Sequence, residues 1–81
     1  MHRSHGHFVV IYGSNNGSML VEILQTEVCQ FGPFDTENTC TELASVLFPD
    51  LPIVKLPAQS DKLDDESLIA LGNAALMHEV S

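Results

Sequence analysis

The chain has 81 residues, 44% of them hydrophobic and 17% charged, with no tryptophan. That length excludes two domains, and Leu, Ile, Val and Phe, which together fill 25 of the 81 positions, exclude disorder throughout. Eleven acidic residues against three basic ones give a formal net charge of −8, and Arg3, Lys55 and Lys62 are too few to form the basic stripe that nucleic acid or an anionic membrane surface requires.

In chain order, residues 1–6 read as a flexible tail of one domain spanning 1–81. No apolar stretch precedes residue 8, and the run Phe8 to Tyr12 is too short for a signal core or a membrane span. That run is aromatic and β-branched, and it leads into Gly13-Ser14-Asn15-Asn16-Gly17, so a strand followed by a turn is predicted. Met19 to Phe31 is read as a second strand, because Asn16-Gly17 between two apolar runs is a hairpin signal. The alternative is a helix over 19–31, since Leu20, Ile23, Leu24, Val28 and Phe31 also fit a helical stripe.

Asp35 or Thr36 can cap a helix in which Cys40, Leu43, Ala44 and Leu47 recur at three and four residues, and Pro49 and Pro52 end it. Ile53 to Leu56, between Pro52 and Pro57, is predicted as a short edge strand. Ser60 or Asp61 then opens a second helix whose first turn is acidic and whose interior is weakened by Gly72. The order β-β-α-β-α predicts a small α+β domain with both helices on one face of a two- or three-stranded sheet. Reading 19–31 as helix would make it an α/β fragment instead.

Four features of the chain bear on function. The loop Gly13, Ser14, Asn15, Asn16, Gly17 and Ser18 follows a strand and is rich in hydroxyls and flexible backbone, a composition suited to a phosphate. This stretch is similar to the phosphate loop after the first strand of flavodoxins, and the resemblance implies a phosphate or flavin held there with a helix N-terminus next in the chain. His2, His5 and His7 carry imidazoles suited to late transition metals. No cysteine or carboxylate follows at ligand spacing, so no metal is assigned.

No spacing picks out a nucleophile, a base and an orienting group. Asp64 and Asp65 are adjacent, so on a helix they diverge by about 100° and do not converge on one bond. No enzymatic role and no cofactor are therefore assigned. Cys29 and Cys40 are too few for a disulfide framework and read as reduced thiols of a cytoplasmic protein.

The fourth feature is the acidic cluster Asp61, Asp64, Asp65 and Glu66, followed by a helix apolar on more than one face. Ile69, Ala70 and Met77 are not all expected to be covered by so small a sheet, which leaves Ile69 and Met77 as candidate partner contacts. This pattern predicts a surface for a basic, nucleic-acid-handling protein partner, with homodimerisation through the last helix as a further expectation. In size, acidity and lack of an assignable catalytic set the chain resembles small phage-encoded inhibitors of host machinery, anti-CRISPR proteins among them.

Overall fold

A computed structural model describes residues 6–80. Its elements are β1 (His7–Ser14), β2 (Gly17–Leu24), β3 (Glu27–Phe34), α1 (Glu37–Leu47), β4 (Ile53–Lys55) and α2 (Asp65–Val80). The strands form one mixed sheet in the order β3-β2-β1-β4, antiparallel except for the parallel β1–β4 pair. The fold is thus α+β as expected, with four strands in the sheet. The segment 19–31 is neither one strand nor a helix. It divides between β2 and β3 at the turn Gln25-Thr26, where Gln25 takes a φ of 60°.

The two helices lie on opposite faces of the sheet, which corrects the expectation of a single covered face. Phe8, Val10 and Tyr12 of β1 pack with Met19, Val21 and Ile23 of β2, Val54 of β4, and Leu68 and Leu76 of α2. Val9, Ile11 and Leu20 pack on the other side with Cys40 and Ala44 of α1. Successive side chains of a strand point to opposite faces, so the unbroken apolar run Phe8 to Tyr12 supplies both layers at once.

The first hairpin turns at Asn15-Asn16, and the positive φ it needs falls on Gly17, at 133°. A Cβ on Gly17 would lie 2.5 Å from the Phe34 carbonyl oxygen, so a side chain is excluded by space as well as by conformation. Between the pairs Ser18–Phe34 and Leu20–Phe31, β3 carries one extra residue, a bulge formed at Gly32-Pro33.

Helix α1 starts at Thr36, whose side chain accepts the Thr39 amide at 3.2 Å, and it ends where the Phe48 amide bonds the Ala44 carbonyl ahead of Pro49. Its small inward residues, Cys40 and Ala44, bring it close to the sheet. Beyond β4 the chain continues along β1, with the Leu56 amide on the Ile11 carbonyl and the Gln59 amide on the Gly13 carbonyl.

Helix α2 begins at Asp65, so Ser60 and Asp61 lie outside it. Gly72 is the centre of its buried stripe, flanked one turn away by Leu68 and Leu76. A Cβ there would come within 2.7 Å of the Phe8 ring and 3.0 Å of Val10 Cγ2. Far from merely weakening the helix, this glycine is what lets it sit down on the sheet.

Candidate functional site

Asp61, Asp64, Asp65 and Glu66 are all exposed at the start of α2, but their roles differ. Asp64 precedes the helix, and bonds from the Ser67 hydroxyl and then the Ser67 backbone hold its carboxyl below the ordinary carboxylate range. Asp65 Oδ1 accepts a hydrogen bond from Gln30 Nε2 at 3.4 Å. The same amide group donates to the Leu63 carbonyl at 3.1 Å, and Gln30 Oε1 accepts from the Tyr12 hydroxyl at 3.2 Å. Tyr12 in turn accepts the Leu63 amide at 2.9 Å. Two of the four carboxylates therefore help anchor the helix start, whereas Asp61 and Glu66 have no hydrogen-bond or ion-pair partner among the described residues.

On the outward side of α2, Met77 is 61% exposed and Leu71 42% exposed, with Ala70 and Ala74 exposed between them. Ile69 is half-buried against the core cluster, a correction to its expected place on the surface. The reason is the stripe centred on Gly72: at about 100° per residue, Ile69 falls about 60° from that centre and Leu71 about 100°. An apolar strip thus extends from Glu66 along the outer face, built on Leu71 and Met77.

The six residues of the loop Gly13 to Ser18 form a closed hairpin turn. The Ser14 hydroxyl donates to the Gly17 carbonyl at 3.0 Å and accepts the Asn16 amide at 3.4 Å. Ser18 is buried, and the next element is a strand, so the helix N-terminus implied by the flavodoxin resemblance does not stand at this loop.

His2 and His5 lie outside the described residues. His7 Nε2 meets Glu22 Oε2 at 2.9 Å, and Cys29 stands opposite Glu22 on the neighbouring strand. Among the described residues no group of three or more His, Cys, Asp or Glu could hold a metal ion, and no helix is long and apolar enough to cross a membrane. Cys29 is exposed and Cys40 is buried; burial, with a contribution from the charge of Glu37, pushes the Cys40 thiol above its ordinary range.

Sequence reasoning missed a groove of about 320 Å³ between α1 and the end of β3, lined by Phe34, Thr39, Glu42, Leu43 and Val46. Val46 is 75% exposed. The apolar period of α1 assigns Leu43 inward but gives no reason for a valine on the outside, and the edge position of β3 was hidden while 19–31 counted as one element. Comparison of the chain with known protein families, with characterised proteins and with solved structures gives no match.

Proposed function

We propose that this protein is a non-enzymatic, acidic binding module of the cytoplasm that occupies the basic surface of a nucleic-acid-handling protein, in the manner of a small phage-type inhibitor. One arrangement supports the reading above the others. The exposed carboxylates at the start of α2, with Asp61 and Glu66 uncommitted, lead directly into the exposed apolar strip of Leu71 and Met77 on the same helix. Carboxylates steer and orient a basic partner, and buried apolar contacts slow its release. The mechanism is competition: the carboxylates pair with Lys or Arg side chains that otherwise contact phosphate.

Charge reversal at Asp61 and Glu66 is the informative variant, because Asp64 and Asp65 also hold the helix start. Capture from host lysate at low salt, followed by elution in rising salt, is expected to yield a basic nucleic-acid-handling protein with the wild-type chain and to lose it with Asp61→Lys/Glu66→Lys. Equal retention by the double variant would refute the electrostatic role. Capture of nothing, together with a concentration-dependent dimer in sedimentation, would replace the reading with self-association through α2.

A further inference from the structure

We infer that the outer edge of β3 is the docking site for an extended basic segment of the partner, which joins the sheet there as a fifth strand; this rests on the binding-module reading and names its mode. The sheet has two edges, and they are treated differently. The β4 edge is three residues long and stands between Pro52 and Pro57. The β3 edge is eight residues long, and only its far end is blunted, by the bulge at Gly32-Pro33. From Glu27 to Phe31 it carries neither of the usual protections, a lysine or a proline. An unpaired, unprotected edge is a template for strand addition, with backbone hydrogen bonds for affinity and side-chain pockets for selectivity.

Charge decides the occupant. From Tyr12 to Val54 the chain holds six carboxylates and no lysine or arginine. The nearest cation in sequence, Lys55, is already paired with Glu37 at 3.1 Å. Glu27 and Asp35 bracket β3, Glu42 lines the groove beside Phe34 on the α1 side, and Asp65 touches Gln30 on the α2 side. A second copy of a chain with net charge −8 would bring like charge to this edge, whereas a basic strand relieves it.

The two faces of the edge also differ. Cys29 and Phe31 pair with Glu22 and Leu20, on the α1 side, where Phe31 is 36% exposed and the groove of Phe34, Leu43 and Val46 lies open. Val28 and Gln30 face α2 and its acidic start. Side chains of an added strand alternate between faces, so the fitting sequence alternates apolar residues on the α1 side with Lys or Arg on the α2 side.

The test uses two acetylated, amidated eight-residue peptides titrated into ¹⁵N-labelled protein: one alternating Lys and Val, the other with the same residues in two blocks. The alternating peptide is expected to bind at least tenfold more tightly than the block isomer and to slow amide exchange over Glu27 to Phe31. Phe31→Lys, with Cys29→Lys as a second variant should the first fail to fold, is expected to weaken it at least tenfold, while Ala58→Lys, exposed beyond β4 at the opposite side of the sheet, leaves it unchanged. Equal affinity for the two peptides, or binding unaffected by the β3 variants, would overturn the edge site and leave the binding-module reading standing. So would retention of a basic partner by a protein that binds neither peptide. A dimer abolished by Phe31→Lys would assign the edge to a second copy and overturn the inference. If neither peptide binds and no partner is retained, the edge site and the function both fall.

Discussion

The Tyr12 hydroxyl, buried in the middle of the sheet, accepts the Leu63 amide at 2.9 Å across a separation of 51 residues. Through this bond and the Gln30 amide, β1 and β3 fix the segment that delivers the chain to α2, and with it the acidic start of that helix. Tyr12→Phe removes the acceptor for Leu63 and the donor to Gln30 while keeping the ring. It is expected to destabilise the protein by about 1–3 kcal/mol, the range for leaving a part-buried polar group unpaired. Amide exchange should quicken at Leu63 well before it changes in β1; an unaltered Leu63 rate would show that the bond does not anchor the loop.

Gly72→Ala sets two effects against each other. Alanine favours a helix interior by about 1 kcal/mol over glycine. Its methyl group would press on the Phe8 ring at 2.7 Å and on Val10 at 3.0 Å, and overpacking of this kind costs about 1–3 kcal/mol. A net loss of stability in denaturant unfolding is expected, partly restored when Phe8→Leu is added. A variant more stable than the wild type would mean that α2 does not pack this closely.

The two thiols should differ sharply in reactivity. Cys29 is exposed on β3, whereas Cys40 is buried under α1 with its thiol pushed above the ordinary range, and the thiolate is the reactive form. A thiol reagent at neutral pH is expected to modify Cys29 within minutes and Cys40 only after denaturant is added, as read by peptide mass spectrometry. Comparable rates at both sites would contradict the placement of α1 on the sheet.

Acid sensitivity follows from Asp64. Its carboxyl lies below the ordinary range because Ser67 hydrogen-bonds the charged form. The folded-state pKa is therefore below the unfolded one, so the contribution is present above the unfolded pKa and is lost as pH falls through the folded one. Asp64→Asn keeps a capping oxygen but cannot titrate. The difference in thermal midpoint between wild type and this variant should shrink as pH is lowered through the carboxylate range. A difference that is constant with pH would remove Asp64 as the source.

Much of this architecture is legible in the chain. Thr36 and Pro49 bound α1 as capping and proline rules require, and Pro52 and Pro57 mark β4 as an edge strand. The covering of both faces was also written in the unbroken run Phe8 to Tyr12, since a strand with one wet face alternates and this one does not. The division of 19–31 was not legible, because its turn uses Gln25 at positive φ, where no Asn or Gly announces it. Ile69 is misplaced on the outward side of α2 for a related reason. The inward stripe of that helix centres on a glycine, and a residue without a side chain contributes nothing to an apolar count. The acidic residues at the start of α2 are all exposed, and nothing in their spacing distinguishes Asp64, held by Ser67, from Asp61, which has no partner among the described residues.

The measurement that bears most directly on the binding role is titration calorimetry of the captured basic partner against wild type and Asp61→Lys/Glu66→Lys over a series of salt concentrations. Wild-type affinity is expected to fall steadily as salt rises, with the double variant weak throughout and little affected by salt. Identical affinities for the two proteins, unchanged by salt, would contradict an acidic competitor.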